Sequence, residues 1–201
     1  HSENELVQVR GNAGTHDLAL ATQTLHNLCA GAALSEPPEW DRVPRYDKGA
    51  FGGLGDRVPR DAFGVPPRKL HLILLEGWML GFEPVAEARA ASVHAGLPLV
   101  NAALQEYASL WRSVDCWVVL RAAPELATRW RLEAEQAQRA AGKGGMNDEQ
   151  VRRFVQVYLP AYAAYLPGLY AQKDGFGPLK APLLSFDLDE ERRPIASPVP
   201  S

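Results

Sequence analysis

The sequence predicts an α/β protein built on a parallel sheet covered by helices. Three apolar runs of strand length carry this expectation. Leu70–Leu75 is apolar except for His71, Asp115–Arg121 follows a stretch of helical periodicity, and Leu183–Leu188 closes the pattern. Such runs alternating with amphipathic helices belong to sheets buried on both faces. The first run ends in Glu76-Gly77, and open α/β sheets bind ligands at the carboxyl ends of their strands. An acid placed there can meet a nucleotide-bound metal. Equally, Glu76 can cap the next turn, Gly77 can supply a positive φ, and Trp78-Met79-Leu80 can be core.

At the front of the chain, Leu6–Arg10 leads into a turn, Gly11-Asn12-Ala13-Gly14, followed by Thr15-His16-Asp17. Leu18, Ala21, Leu25, Leu28, Cys29 and Ala32 line one stripe of a helix expected from Asp17 to Leu34. Thr15 or Asp17 can cap its N-terminus. A Gly-rich approach with His and Asp at a helix start can also form a polar ligand pocket.

Ser35–Lys69 is rich in Pro and Gly and has no periodicity, so it is expected as a loop. Segments this long are usually functional or disordered. Its charges, among them Arg45, Asp47, Lys48 and Arg57, cluster around the aromatics Tyr46 and Phe51. Arg45, Lys48 and Arg57 suit a carboxylate or a phosphate, which Arg can hold bidentately. The plainer alternative is a solvated loop with internal ion pairs.

After Glu76, the Ala-rich stretch Pro84–Ala95 is expected to be helical, and Pro98 opens a helix over Leu99–Ser113. Pro124 opens another, reaching Ala140, that carries Arg129, Trp130, Arg131, Glu133, Glu135 and Arg139. Gly142-Lys143-Gly144-Gly145 breaks it. Asn147 and Gln150 then form a capping box for a helix through Val151, Phe154, Val155 and Tyr158. Two polar helices joined by a Gly/Lys loop make a hairpin, residues 124–166, that can move as a lid. Alternatively the hairpin is simply solvated, its charges pairing at i,i+4. Residues 196–201 form a loose tail.

At 201 residues the chain suits a single domain, residues 1–195. A net charge of −3 argues against a general nucleic-acid or membrane-surface binder. Cys29 and Cys116 sit in apolar contexts and are expected as small core residues. No apolar run is long enough to span a bilayer. The opening His1-Ser2-Glu3 reads as a chain entered partway. The sequence contains no G-x-x-x-x-G-K-[ST], no G-x-S-x-G and no H-E-x-x-H. His16, His26, His71 and His94 lack ligand spacing. Spacing alone therefore ends at an α/β protein with an acidic strand end, a basic loop and a helical hairpin.

The order of motifs goes further. Arg10-Gly11-Asn12-Ala13-Gly14-Thr15-His16-Asp17, then Pro44-Arg45-Tyr46-Asp47-Lys48 with Gly55-Asp56-Arg57, then Leu75–Phe82 resembles D-glycerate 3-kinase of the plant and fungal type. Trp130-Arg131-Leu132 with Ala134-Glu135, Gly145-Met146 with Asp148-Glu149, Tyr158–Tyr162 and Asp187–Arg192 continue the resemblance in the same order, so it covers nearly the whole chain. That family belongs to the P-loop kinases related to uridine kinase, phosphoribulokinase and pantothenate kinase.

The resemblance implies a P-loop kinase-like α/β/α sandwich, incomplete at its N-terminus, with a helical-hairpin lid. It implies transfer of the γ-phosphoryl group of ATP, with Mg²⁺, to the 3-hydroxyl of D-glycerate. The setting would be photorespiration in the chloroplast of a plant or alga, or otherwise the cytoplasm, and the enzyme a monomer. Glu76 stands at the family's Walker-B-type acid and would hold Mg²⁺ through water. Asp17 matches a position that binds substrate hydroxyls. Tyr46, Asp47, Lys48 and Arg57 would form the glycerate site, with a cation on the carboxylate. Arg131, with Arg129 and Arg139, would meet the phosphates from the lid. The family's phosphate-binding loop and catalytic base would lie upstream of His1, so the chain alone is expected not to turn over ATP. Leu54 and Gly52 replace more polar residues of the family, and Glu133 stands where Gln is common. The competing functions are a kinase for another small hydroxylated substrate and a non-catalytic relative that binds nucleotide or a partner.

Overall fold

The computed structural model of the chain describes residues 3–32, 43–47, 50–53, 55–64, 70–142, 145–173 and 175–195. The expected first helix is α1, Leu18–Ala32. Asp17 caps it: its carbonyl accepts the Ala21 N–H, and its Oδ1 accepts the Leu20 N–H at 3.0 Å. Thr15 has a different task. Its hydroxyl accepts the Gly11 N–H at 2.8 Å and donates to the Asn12 carbonyl at 2.7 Å, closing the Gly-rich turn on itself.

The segment expected as a plain loop contains a small antiparallel ribbon, β1 (Tyr46–Asp47) and β2 (Asp56–Arg57), with Tyr46 opposite Arg57 and Asp47 opposite Asp56. Two 3₁₀ turns, Ala50–Gly53 and Arg60–Ala62, fill the chain around it. Strands of two residues are too short to show a period of two, which is why the sequence pattern missed them.

The helices after Phe82 are α2 (Glu87–Val93), α3 (Leu97–Leu104) and α4 (Ala108–Trp111), with a 3₁₀ turn at Gln105–Tyr107 between the last two. Asn101 on α3 is buried and satisfies the backbone of Val85 twice, accepting its N–H and donating to its C=O at 2.9 Å each. That pair fixes how the chain enters α2. The remaining elements are β3 (Trp117–Arg121), α5 (Glu125–Ala140), α6 (Asp148–Gln156), α7 (Leu159–Tyr170), β4 (Leu183–Leu188) and β5 (Pro194–Ile195). Both bonds of the expected capping box at Asn147 and Gln150 are made, at 2.9 and 2.8 Å.

The sheet is mixed and three-stranded, in the order β3-β4-β5. β3 runs parallel to β4 with Trp117 opposite Leu183, and β5 returns antiparallel on the far side. Trp117 and Val119 point into the core, where Trp117 meets Trp111 and Phe176 edge-on. Phe82, Leu97, Val100, Leu104, Tyr107 and Tyr165 complete that core. The covering helices thus lie on one face of the sheet.

Three expectations fail here. Leu70–Leu75 was expected as a strand buried on both faces, yet it lies outside every sheet of the described residues, with Leu72 and Leu74 81% and 84% exposed. A parallel strand is stable only with a hydrogen-bonded neighbour and a layer on each face; the described residues pair it with no strand and pack Ile73 against the core while Leu72 and Leu74 face outward. For the same reason β3 and β4 are covered on one face only, leaving Val118, Leu120, Leu184 and Phe186 exposed. Cys29 and Cys116 are also exposed rather than core. Among the described residues no helix is long and apolar enough to cross a membrane.

Candidate active site

The Gly-rich turn after Arg10 holds the site together. Trp78, two residues beyond Glu76, donates from its indole N–H to the Gly11 carbonyl at 3.1 Å. The Tyr158 hydroxyl donates to the Arg10 carbonyl at 2.7 Å. Trp78 and Tyr158 pack edge-to-face with centroids 4.8 Å apart. Asn12 is buried beneath them and donates to the carbonyls of Leu6 and Val157 at 2.7 and 3.1 Å. Gly11 has φ +136°, and a Cβ there would meet the Tyr158 ring at 2.7 Å. Only glycine allows that approach.

On the outer side of this turn stands the ribbon. Arg57 pairs with Asp17 at 2.6 Å. The Arg57 guanidinium, then the Leu20 N–H, hold the Asp17 carboxyl below the usual carboxylate range. Asp17 is therefore an ionised hydrogen-bond acceptor at any working pH and a weak general base. Tyr46 is Arg57's cross-strand partner, so both side chains leave the same face of the ribbon. The Arg10 guanidinium lies over the Tyr46 ring, 5.3 Å from its centroid. Asp47 extends the ribbon opposite Asp56. Lys48 lies outside the described residues.

The structure thus brings Asp17, Tyr46 and Arg57 together, with Asp47 next along the ribbon, and it fastens the Glu76 segment to the same turn through Trp78. Glu76 is exposed, and no hydrogen bond or ion pair joins it to the described residues. Among those residues no three His, Cys, Asp or Glu side chains gather into a metal site. A single carboxylate still fits Mg²⁺, which takes most of its oxygen ligands from phosphates and water. A groove of about 460 Å³ beside α1, lined by Leu18, Thr22, His26, Glu106 and Ser109 among others, shares no residue with this constellation.

The three arginines of α5 are all paired. Arg131 bonds the buried Glu135 at 2.6 Å and lies over the Phe154 ring, which in turn packs on Tyr158. It is thereby linked to the site through two aromatic rings. Arg129 is shared between Glu133 and Glu190, and Arg139 between Asp148 and the Met146 carbonyl. The Trp130 indole donates to the Glu190 carbonyl at 2.7 Å, and Arg192 lies over the Trp130 ring. Helix α5 is therefore fastened to the turn between β4 and β5.

Burial pushes the Tyr158 hydroxyl up to about 12, and Tyr165 likewise to about 12. Tyr158 thus remains a donor to Arg10 throughout the physiological range. A phenol with a raised folded pKa contributes stability in full below its unfolded value and loses it as pH climbs through the folded one. Stability should hold up to about pH 10, near the unfolded tyrosine value, and fall as the pH approaches 12. Tyr158→Phe should cost about 1 kcal/mol at neutral pH, one hydrogen bond, and make the alkaline fall shallower. Urea unfolding of both proteins between pH 8 and 11.5 measures this; equal alkaline slopes would contradict it.

No protein-family model matches the chain. It is 44% identical over 195 residues to the chloroplastic D-glycerate 3-kinase of Arabidopsis thaliana, a match covering 96% of this chain and 42% of that protein. The chain thus spans less than half the length of that relative. It is 35% identical over 203 residues to the uncharacterized kinase mug58 of Schizosaccharomyces pombe, covering 96% of this chain and 70% of that one. Its fold superposes on the solved D-glycerate 3-kinase of Cryptococcus neoformans with a TM-score of 0.76 at 28% identity, covering 97% of this chain and 70% of that one. By name all three relatives are kinases. The chain belongs to the same kinase family as mug58, and over nearly its whole length it is similar to the D-glycerate 3-kinases.

Proposed function

We propose that this chain provides the substrate site and lid of a kinase that transfers the γ-phosphoryl group of ATP to the 3-hydroxyl of D-glycerate, giving 3-phosphoglycerate. The observation that carries the proposal is the Asp17–Arg57 pair set against Tyr46 at the Gly-rich turn. It offers an ionised acceptor for a hydroxyl beside a cationic face for a carboxylate, the two ends of a small hydroxy acid. In this reading Tyr46, Asp47, Arg57 and Lys48 bind glycerate, Asp17 orients its hydroxyl, and Glu76 holds Mg²⁺ through water. Mg²⁺–ATP supplies the phosphoryl group. Arg131, with Arg129 and Arg139, neutralises phosphate charge after exchanging its present carboxylate partners. Phosphoryl transfer rests on positioning and charge neutralisation, which suits these groups. If the chain comes from a plant or alga, the reading extends to the chloroplast, the compartment in the name of the Arabidopsis relative, and to photorespiration.

A second reading is a kinase for another small hydroxylated acid; the mug58 relative is a kinase whose name gives no substrate. Both readings assign the β- and γ-phosphates to a Gly-rich nest with Lys, a motif these 201 residues lack. Residues 1–201 alone should therefore release no ADP from ATP and D-glycerate. An ATP-competent polypeptide carrying them together with such a loop should release ADP only when D-glycerate is added, with 3-phosphoglycerate seen by ³¹P NMR. Turnover of other hydroxy acids but not D-glycerate would select the second reading. Turnover by the isolated chain would overturn the division of labour.

A further inference from the structure

The sequence reads Trp78 as a candidate core residue, and the structure gives it a second attachment. Met79 and Phe82 are buried and root residues 77–82 in the core. Half-buried Trp78 instead turns its indole toward the Gly-rich turn and donates to the Gly11 carbonyl at 3.1 Å. Three rings frame that indole edge-on: Tyr158, Tyr162 and Phe82, with centroids 4.8, 5.3 and 5.6 Å away. A ring held on several sides aims its N–H in one direction.

What that N–H fixes is a glycine. Gly11 has φ +136° and lacks the side chain that restricts other residues. Its N–H donates to the Thr15 hydroxyl at 2.8 Å and its carbonyl accepts from Trp78, so the peptide on each side of it is oriented. Glu76 lies two residues before Trp78, and the turn that Thr15 closes runs directly into Asp17. The Trp78–Gly11 bond is therefore a direct tie between the segment that carries one acid and the turn that carries the other. We propose that Trp78 is a positioning residue for phosphoryl transfer. It registers the Glu76 segment, on the Mg²⁺–ATP side, against the turn that presents Asp17 to the substrate hydroxyl. Transfer between two bound partners depends on their alignment, which affinity for either does not report, so Trp78 acts on kcat. This deepens the function proposed above and rests on it.

The test uses the ATP-competent polypeptide carrying residues 1–201. Trp78→Phe removes the N–H, and benzothienylalanine in place of Trp78 removes it while keeping the bicyclic ring. Each should lower kcat about thirtyfold, with the KM for D-glycerate and for ATP within about twofold of the parent. Calorimetric titration of D-glycerate without nucleotide should show an unchanged affinity. Amide exchange at Gly11 should quicken about fivefold more than at the core amides of α3, the scale of one lost hydrogen bond. If Trp78→Phe fails to fold, the isosteric variant decides. A kcat within about threefold of the parent, a rise in either KM beyond about twofold, or Gly11 exchange that only follows the core would overturn the proposal and leave Trp78 as packing. If the parent enzyme instead uses a different hydroxylated substrate, the glycerate reading fails. The Trp78 proposal then stands only if the same loss, confined to kcat, appears with that substrate. A parent polypeptide that transfers phosphate to no hydroxylated substrate sinks both.

Discussion

Asp17→Asn should lower kcat/KM for the hydroxy-acid substrate about a thousandfold, the scale on which a site built to receive a substrate hydroxyl fails when that bond is lost. The variant separates two roles that one carboxylate plays. As the cap of α1, Asp17 uses Oδ1 to accept the Leu20 N–H; as a site residue, it uses Oδ2 to hold Arg57. Asparagine caps helices about as well as aspartate, so the fold and the urea midpoint should be retained. The amide lacks the charge that fixes Arg57, and its NH₂ can turn toward a hydroxyl that needs an acceptor. Substrate kinetics beside urea unfolding decide between the roles. Activity within a fewfold of the parent would reduce Asp17 to a helix cap.

Glu135→Ala should destabilise the protein by about 3 kcal/mol, the low end for breaking a buried ion pair because Arg131 keeps part of its surface in water. Glu135 is almost wholly buried. One oxygen takes Arg131 at 2.6 Å, the other the Met146 N–H at 2.9 Å. Gly145, with φ +139°, passes so close that a Cβ would lie 2.7 Å from Glu135 Oε2. The carboxylate is thus the rivet between α5 and the approach to α6. Removing both charges in Arg131→Met/Glu135→Leu should restore most of the loss, since an apolar pair of similar volume often replaces a buried ion pair without penalty. Denaturant curves of the parent, Arg131→Met, Glu135→Leu and the double variant form the cycle, with Glu135→Ala measured beside them. The double variant also isolates the chemistry of Arg131. If it regains stability yet stays inactive in the ATP-competent polypeptide, Arg131 meets phosphate; if activity returns with stability, Arg131 serves only the hairpin.

Much of the fold was legible because its signals are local. The stripe of α1, the capping box of α6, the Pro-initiated α5 and the apolar runs of β3 and β4 each depend on residues within a few positions of one another. Leu70–Leu75 misled for the opposite reason. Its composition states what the segment would bury, whereas burial depends on a neighbour elsewhere in space. Among the proposed site residues, Asp17, Tyr46, Asp47 and Arg57 came from motifs, and the Arg57–Asp17 pair and the Tyr46–Arg57 register are contacts between motifs that the sequence alone does not show. The i,i+4 alternative for the hairpin charges describes Arg129–Glu133 and Arg131–Glu135, but it does not reach the further partners of Arg129 and Arg139. The Glu190–Trp130 and Arg129–Glu190 contacts link positions far apart in sequence, beyond the reach of i,i+4 rules.

The leucines of residues 70–75, with Val118, Leu120, Leu184 and Phe186 on the open side of the sheet, also bear on how the polypeptide behaves in a tube. An uncovered apolar flank attracts any apolar chain that reaches it, and in concentrated solution the nearest such chain is another copy. Precipitation during purification would then reflect a missing neighbour rather than a misfolded core. The remedy is a β-strand supplied in cis or in trans, not a milder buffer.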